Sequence, residues 1–155
     1  MQDFRNIAAW RRSHELTLFT YRNTLDFPDA GRFGLTHQMR KAAVSVESNI
    51  AEGSSRGSDL DFRRFMFLAL GSLAGLETQA ILSKDLQSLL PKQFQALLRS
   101  IVVNRATAWS LVQTLEASIA SAASVKTLKP GEPVKPRQGP AASLKPLEPL
   151  KPLKP

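Results

Sequence analysis

Four segments of this chain carry apolar residues at every third or fourth position and contain no internal proline. This spacing lines one face of an α-helix, and a proline inside such a segment would break the helix. Before residue 124, proline occurs only at Pro28 and Pro91, and both lie between the segments. No stretch shows the sustained alternation that is typical of a strand beside a hairpin turn. The sequence therefore predicts an all-α fold, an antiparallel up-and-down four-helix bundle with short connections.

The ends of the predicted helices carry local signals for starting and stopping a helix. Thr36 is a candidate N-cap of the second helix, and Gly53 is its candidate C-terminal residue. Ser58 with Asp61 resembles an acidic capping box that opens the third helix, and Pro91 suits the first turn of the fourth. The predicted helices run over residues 6–26, 36–53, 59–88 and from 91 onward. The first helix is predicted to bury the face formed by Ile7, Trp10, His14, Leu18, Tyr21 and Leu25.

The third helix is more apolar than a single buried stripe requires, because it carries two rows of apolar side chains. The row predicted to face the core consists of Phe62, Phe65, Met66, Ala69, Leu73, Leu76 and Ala80. The second row consists of Phe67, Leu70, Ala74 and Ile81. Either this helix is central and touches all three others, or the second row is an oligomer interface built on Phe67, Leu70 and Ile81. Gly71 and Gly75 leave a smooth surface on the same helix, which another backbone could approach.

Charge and composition exclude several classes of protein. The 155 residues include 21 Lys and Arg against 13 Asp and Glu, a formal charge of +8, and no cysteine. Without cysteine there is no disulfide scaffold, thiol catalysis or cysteine-ligated metal. The start carries Arg11 and Arg12 where a signal peptide would need its apolar run, and no window reaches the roughly 18 uninterrupted apolar residues of a membrane span. We expect a soluble, cytoplasmic protein with no membrane partner.

The last part of the chain has a different composition. Eight of the ten prolines lie between Pro130 and Pro155, where Leu-Lys-Pro and Leu-Glu-Pro units repeat. Proline at every third residue forbids a helix and favours an extended polyproline conformation. The expected division is a bundle over residues 1–123 and a disordered, Lys/Pro-rich tail over residues 124–155. The tail is interpreted as a solubility appendage, as a cationic tether for a polyanion or as a ligand of a proline-recognising groove.

The sequence contains no recognisable catalytic constellation. The two histidines, His14 and His37, fall on different predicted helices; the first is expected to be packed and hydrogen-bonded and the second to be solvated. Matched Glu-x-x-His pairs, phosphate-binding glycine loops and the common nucleophile and zinc-protease motifs are absent from the sequence. Glu47, Glu52 and Glu77 are interpreted as surface or capping carboxylates. We therefore expect no enzyme activity, no cofactor and no metal site.

Arginine provides the candidate binding residues. If the bundle is antiparallel, the end of the second helix and the start of the third share one pole, which presents Arg56, Arg63 and Arg64 beside free backbone N–H groups. Guanidinium groups make planar, bidentate contacts to phosphate. The opposing interpretation is that the arginines solvate the bundle surface and pair with nearby carboxylates. The predicted nucleic-acid-binding residues are Arg11, Arg12, Arg40, Lys41, Arg56, Arg63 and Arg64.

A specific pattern covers the second helix. Residues 33–53 read FGLTHQMRKAAVSVESNIAEG, which resembles the 23S rRNA intervening sequence proteins, a four-helix-bundle family. FRNIAAW at residues 4–10 and FMFLALGSLAGLETQ at residues 65–79 are similar to further parts of that family, and the resemblance covers about residues 3–120 but not the Leu-Lys-Pro tail. It implies that Ser45 and Asn49 hydrogen-bond across helices. The shared core and capping set is Trp10, Ala43, Ser45, Asn49, Ile50, Glu52, Gly53, Leu73 and Glu77.

This resemblance implies properties beyond those that the residues show. Members of the family are up-and-down bundles that form rings, typically pentamers, and many are encoded within insertions in large-subunit ribosomal RNA genes. Related bundles are accessory proteins of reverse transcriptases in diversity-generating retroelements, where they bind nucleic acid and the polymerase. The family provides no catalytic residues to carry over. We therefore expect a noncatalytic, oligomeric nucleic-acid-binding scaffold or, as the alternative, an accessory subunit that binds a reverse transcriptase or another protein.

Overall fold

The computed structural model describes residues 3–27 and 34–127, with side chains described as far as Val125. A short 3₁₀ turn, Phe4–Asn6, precedes four helices. The helices are α1 (Ala8–Asn23), α2 (Leu35–Ser54), α3 (Asp59–Asp85) and α4 (Pro91–Thr127). Within these ranges there is no strand. The predicted all-α class is confirmed, and each helix begins within two residues of its predicted start.

Cross-helix contacts show that neighbouring helices run antiparallel. Between the first two helices, His14 contacts Glu47, and Thr24, which follows His14 in the chain, contacts Arg40, which precedes Glu47. The same reversal relates α3 and α4, where the pairs are Arg63 with Glu116, Phe67 with Trp109 and Glu77 with Arg105. Helix α3 packs against α2 and α4 but not against α1, which instead lies between α2 and α4. The four helices therefore close an up-and-down bundle in chain order, as predicted.

The core row predicted for α3 is confirmed. Phe62, Met66, Ala69, Leu73, Leu76 and Ala80 are buried, and only Phe65 of that row is partly exposed. They meet Met39, Val46 and Ile50 of α2 and Leu97, Ile101 and Val112 of α4 in one continuous apolar cluster. These large side chains are almost fully removed from water, and burying each of them contributes roughly 1.5–3 kcal/mol. Most of the apolar core thus lies between α2, α3 and α4.

The predicted buried face of α1 is wrong over its second half. Tyr21 is 40% exposed and Leu25 is 68% exposed. The face turned to the core is instead formed by Ala9, Ser13, Leu16, Thr17 and Thr20. The hydroxyls enter the core because each donates to a backbone carbonyl of the preceding turn, such as Thr17 Oγ1 to Ser13 O and Thr20 Oγ1 to Leu16 O. The seam between α1 and the rest of the bundle is therefore narrow and partly polar.

The predicted helix caps are correct at α3 and wrong at α2. Ser58 is the N-cap of α3: its Oγ accepts from Asp61 N at 3.2 Å and donates to the Asp61 carboxylate at 2.8 Å. Helix α2 begins after Gly34, and Thr36 lies inside it, buried, with no hydrogen-bond partner for its Oγ1. At the other end of α2, Gly53 falls within the last helical turn and is buried.

Ser45 and Asn49 were both predicted to form hydrogen bonds across helices, and only Ser45 does so. The Ser45 and Ser72 hydroxyls lie 3.0 Å apart across the two helices. Asn49 instead donates within α2, to the carbonyl and hydroxyl oxygens of Ser45. The cross-helix bond therefore belongs to Ser45, and Asn49 orients it.

The fourth helix extends beyond residue 123, where the sequence predicted that the bundle ends. Helix α4 continues to Thr127. Residues 128–155, the greater part of the predicted disordered tail, lie outside the described residues. Helix α3 is the one described helix with the length and hydropathy of a membrane span. A core helix of a soluble protein has the same length and hydropathy, and α3 supplies much of the apolar core here.

Candidate nucleic-acid interface

The antiparallel arrangement gathers the charged residues at two ends of the bundle. The end of α1 meets the start of α2, and the end of α3 meets the start of α4, at one pole. Ser83 of α3 contacts Met39 of α2 there, at 3.1 Å. At the other pole the end of α2 meets the start of α3, and Ser118 of α4 donates to Asp59 of α3. The two poles differ in how their charges are paired.

The pole at the start of α1 and α3 has no net charge. Over residues 3–15, 50–66 and 113–125 it carries six cations and six carboxylates, and we call it the neutral pole. Its cations are Arg5, Arg11, Arg12, Arg56, Arg63 and Arg64. Four of the six are ion-paired: Arg5 with Asp3, Arg12 with Glu15, Arg56 with Glu52 and Arg63 with Glu116. These carboxylates neutralise most of the positive charge that would otherwise attract a phosphate.

Arg56, Arg63 and Arg64 do lie at one pole, as the antiparallel argument predicted. Arg56 and Arg64 line one depression with Asp61, Phe65 and Leu68. The Arg56 guanidinium also lies over the Phe65 ring, 4.9 Å from its centroid. Of the three arginines, only Arg64 forms no ion pair with a described carboxylate. The opposing interpretation, arginines paired with neighbouring acids, thus describes Arg56 and Arg63.

The other pole is positively charged and unpaired. Over residues 20–27, 34–41 and 80–99 it carries six cations and two carboxylates, a formal charge of +4, and we call it the basic pole. Its cations are Arg22, Arg40, Lys41, Lys84, Lys92 and Arg99, and its carboxylates are Asp26 and Asp85. None of the six cations forms an ion pair with a carboxylate in the described part of the chain. All but Arg40 are exposed.

Arg40 has a structural role at the basic pole. Its Nε donates to Thr24 Oγ1 at 2.9 Å, and its terminal nitrogen donates to the Thr24 carbonyl at 3.1 Å. The guanidinium also lies over the Tyr21 ring, 4.8 Å from the centroid. A cation hydrogen-bonded to the last carbonyls of a helix is favoured by the helix dipole. Arg40 therefore fastens the end of α1 to α2 and keeps its charge at this pole.

The histidine of α1 has the environment that the sequence predicted. His14 Nδ1 lies 2.8 Å from a Glu47 carboxylate oxygen, and its ring stacks on Trp10 with centroids 5.1 Å apart. His37, in the first turn of α2, is exposed. No group of three or more His, Asp or Glu residues in the described ranges is arranged to hold a metal ion. His14 acts as a packed link between α1 and α2.

One side of the bundle is apolar and nearly uncharged. Between Arg64 and Lys84 the only ionisable side chain of α3 is Glu77, which is ion-paired with Arg105 of α4. The exposed large apolar side chains of this side, which we call the apolar face, are Leu60, Phe67, Leu68, Ile81, Leu82, Val102 and Trp109. Phe67 and Trp109 pack edge to face across the two helices, 5.9 Å apart, yet each remains about 45% exposed. Leu70, a predicted interface residue, packs partly against the core instead.

The interpretation of α3 as a central helix is therefore wrong, since α3 contacts only α2 and α4. Phe67, Ala74 and Ile81 of its second row face outward. No atom outside helix α3's own backbone lies within 4 Å of a Cβ built on Gly71 or Gly75. Within the described residues, this row contacts other helices only in part, through Phe67 with Trp109 and Leu70 with the core.

These features define a small antiparallel four-helix-bundle protein with one basic end and one apolar side. The chain belongs to the 23S rRNA-intervening sequence protein family, whose model matches residues 5–106. A similar solved structure is a protein of unknown function from the S23 ribosomal protein family of Bacteroides thetaiotaomicron. It is 17% identical, its TM-score is 0.61, and the match covers 68% of this chain and 98% of that chain, which supports the shared fold. None of the curated proteins compared with this chain matches it.

The seven predicted nucleic-acid-binding residues do not form one site. Arg11, Arg12, Arg56, Arg63 and Arg64 lie at the neutral pole, whereas Arg40 and Lys41 lie at the basic pole. The residues that sequence reasoning missed are Arg22, Lys84, Lys92 and Arg99. These four residues could be predicted by adding the formal charges of the helix ends that meet at each pole of an antiparallel bundle, because the total charge differs between the two poles. Ion pairing, in contrast, depends on side-chain positions that the sequence does not show.

Proposed function

We propose that this protein is a noncatalytic, oligomeric nucleic-acid-binding scaffold of the cytoplasm, and that the basic pole is its principal binding surface. The observation that supports this most is the set of six cations around the basic pole, none of them paired with a described carboxylate. Unpaired cations attract phosphates without first losing a carboxylate partner. Lysine and arginine also release counterions from the phosphate backbone when they neutralise it. The surface thus suits sequence-independent binding to RNA or DNA.

The apolar face supports self-association. Its seven large side chains are each 45–56% exposed. Together they present on the order of 600 Å² of apolar surface, close to the roughly 800 Å² that each partner buries in a standard interface. A ring requires two different complementary patches on each copy, and the family resemblance favours a pentamer. Assembly through the side of the bundle would leave both poles open and would repeat the +4 charge of the basic pole in every copy.

The binding proposal is tested by fluorescence anisotropy of a labelled oligouridine titrated at several salt concentrations. Arg22→Gln with Lys41→Gln and Lys92→Gln should flatten the plot of log affinity against log salt by about 0.7 units for each phosphate that the protein no longer neutralises. The matched control is Arg12→Gln with Arg56→Gln and Arg63→Gln, which removes the same charge from ion-paired positions. The control should leave the slope nearly unchanged.

Three results would contradict this proposal. If the slope of log affinity against log salt flattened only in the ion-paired control variant, the binding site would lie at the neutral pole. Equal flattening in both variants would mean that total charge, and not the basic pole, determines binding. Absence of binding by the full chain at low salt would remove nucleic acid as a partner.

Self-association is tested by light scattering, which should give a mass several times the 17.1 kDa of one chain. Phe67→Asp with Ile81→Asp should release smaller species that keep their helical circular dichroism. Leu25→Asp is the control, because Leu25 is 68% exposed but lies in the turn after α1, away from the apolar face. A wild-type monomer at micromolar concentration would refute the assembly.

The second candidate function is an accessory subunit that binds a reverse transcriptase or another protein. The apolar face is the observation that favours it, because an exposed, nearly uncharged patch of this size is typical of a protein–protein contact. Two results together would support this function over the first. The wild-type chain would be monomeric, and variants of the apolar face would lose a co-purified polymerase while they still bind nucleic acid.

A further inference from the structure

The basic pole exposes apolar side chains as well as cations. In the described part of the chain, the three most exposed large apolar side chains are Leu25, Leu86 and Leu90, each 62–68% exposed. Leu25 follows the end of α1, and Leu86 and Leu90 lie in the connection between α3 and α4, so all three belong to this pole. A phosphate group makes no favourable contact with leucine. Attraction of phosphates therefore does not account for the whole composition of this surface.

Tyr21 places an aromatic ring among the cations of the same pole. It is the one tyrosine of the chain, and it is 40% exposed near the end of α1. The Arg40 guanidinium lies 4.8 Å from the centroid of its ring, and two hydrogen bonds to Thr24 hold that guanidinium in place. Among the described residues, no second ring or cation stacks on Tyr21. A fixed cation thus covers one part of the ring, and the exposed part is open to a ligand.

An unpaired base is the part of a nucleic acid that fits an aromatic ring among cations. Every base has a π-face, so stacking on an aromatic side chain is independent of sequence. In a duplex the bases are stacked on one another, and a protein reaches their edges only through a groove, the wider of which is about 12 Å across and admits one helix. The basic pole is formed by the ends of four helices, each about 10 Å in diameter, and is too broad to enter that groove. The bases of a single strand, in contrast, can reach Tyr21.

We propose that the basic pole binds single-stranded RNA or DNA in preference to a duplex, and that one base of the strand stacks on Tyr21. This inference rests on the proposed nucleic-acid binding and specifies its substrate. Arg22 and Lys41 follow Tyr21 and Arg40 in the chain, and both are exposed without a described carboxylate partner, so they are available to the phosphates of the strand. The exposed leucines contact neighbouring bases, which a duplex would keep inside. Stacking does not involve the sugar, so RNA and DNA both fit.

A purely structural role of Tyr21 has a different consequence. Tyr21 packs on Arg40, so its loss could loosen the end of α1 and weaken the binding of every polyanion by the same factor. Loss of a stacked base instead weakens the binding of single strands selectively. The ratio of the two affinities, and not either affinity alone, separates these roles.

The test measures the anisotropy of a labelled oligouridine and of a labelled RNA duplex with the full-length protein at several salt concentrations. The wild-type protein should prefer the single strand, and the preference should widen as salt rises, because salt weakens phosphate contacts but not stacking. Tyr21→Leu keeps apolar bulk over Arg40 and removes the π-face. It should lower the affinity for oligouridine at least about fivefold, the lower end of the range for one base–aromatic stack, with a much smaller effect on the duplex. Tyr21→Phe keeps the ring and should recover most of that loss.

Photocrosslinking measures the contact itself. An oligouridine that carries 5-iodouracil is irradiated in complex with the wild-type protein, and the crosslinked peptide is sequenced by mass spectrometry. The crosslink should map to Tyr21. Oligothymidine and a DNA duplex, measured by anisotropy in parallel, should give the same preference for the single strand.

Equal affinity of the wild-type protein for the single strand and the duplex across the salt range would overturn the inference and leave the proposed function intact. An equal loss of both affinities in Tyr21→Leu, or a crosslink that maps to the neutral pole, would overturn it as well. Tighter binding to phosphatidylserine vesicles than to oligouridine, lost in Leu25→Ser with Leu86→Ser and Leu90→Ser, would identify an anionic membrane as the partner of these side chains and would also overturn it. Absence of binding to either nucleic acid at low salt would instead refute the proposed function itself.

Discussion

Replacing Gly53 by alanine should destabilise the bundle, although alanine is the better helix former. Gly53 is buried in the last turn of α2, and a Cβ there would lie 2.6 Å from Phe62 Cδ2 and 2.7 Å from Phe65 Cβ. Phe65 Cβ is fixed to the backbone of α3, so a rotamer change cannot relieve the clash and α3 must shift. Overpacking of this kind costs about 1–3 kcal/mol, against roughly 1 kcal/mol gained in helix propensity.

The net loss for Gly53→Ala is therefore up to about 2 kcal/mol, or a melting temperature lower by as much as roughly 10 °C for a domain of this size. Gly71→Ala and Gly75→Ala are matched controls, because the added methyl has no neighbour within 4 Å in either case. Each control should stabilise the chain by about 0.5–1 kcal/mol. The melts are compared in the Phe67→Asp, Ile81→Asp background, so that assembly does not contribute. If Gly53→Ala raised the melting temperature as the controls do, the close approach of α2 and α3 would not be a real restraint.

Three further predictions concern stability. Arg40→Ala should lower the urea midpoint by the equivalent of about 1–2 kcal/mol, because it removes two hydrogen bonds to Thr24. The control is Lys41→Ala, a change at an exposed neighbour that should cost less than about 0.5 kcal/mol. Equal losses in the two variants would contradict the role of Arg40 in holding the end of α1 against α2. Gln87 has φ of 57°, in the left-handed region, so Gln87→Gly should raise the melting temperature by the equivalent of about 1 kcal/mol while Gln87→Ala should not. Removing residues 128–155 should leave the melting temperature within about 2 °C of the wild-type value, whereas a fall of several degrees would mean that they pack on the bundle.

Apolar spacing predicted α3 well and α1 poorly, for a physical reason. The core row of α3 consists of side chains whose burial is driven by their apolar area, so counting apolar residues found it. In α1, Ser13, Thr17 and Thr20 are buried because their hydroxyls bond to carbonyls of their own helix. A polar residue satisfied in this way costs little to bury, and it displaces Tyr21 from the core. Hydrophobicity alone does not report that local bond.

The candidate site was predicted in part for a different reason. Antiparallel order follows from short connections, and it correctly brought Arg56 and Arg64 to one depression. Pairing of Arg63 with Glu116 joins residues 53 positions apart, and no local pattern in the sequence indicates it. Charge balance at each pole is a tertiary property, so the residues missed at the basic pole became visible only once the helices were placed.

The narrow seam of α1 has a consequence for how the bundle opens. Leu16 is the one large apolar side chain of this helix that is fully buried, and Trp10 and Phe19 pack only partly against the core, whereas α2, α3 and α4 share most of the apolar core. Cooperative opening units are set by the apolar contacts that must be broken together. Helix α1 should therefore separate from the other three at a lower free energy than global unfolding requires, and its amides should exchange hydrogen faster than those of α3. The bundle then behaves as a three-helix unit with a detachable first helix, and the Arg40 contact with Thr24 resists that detachment at the basic pole.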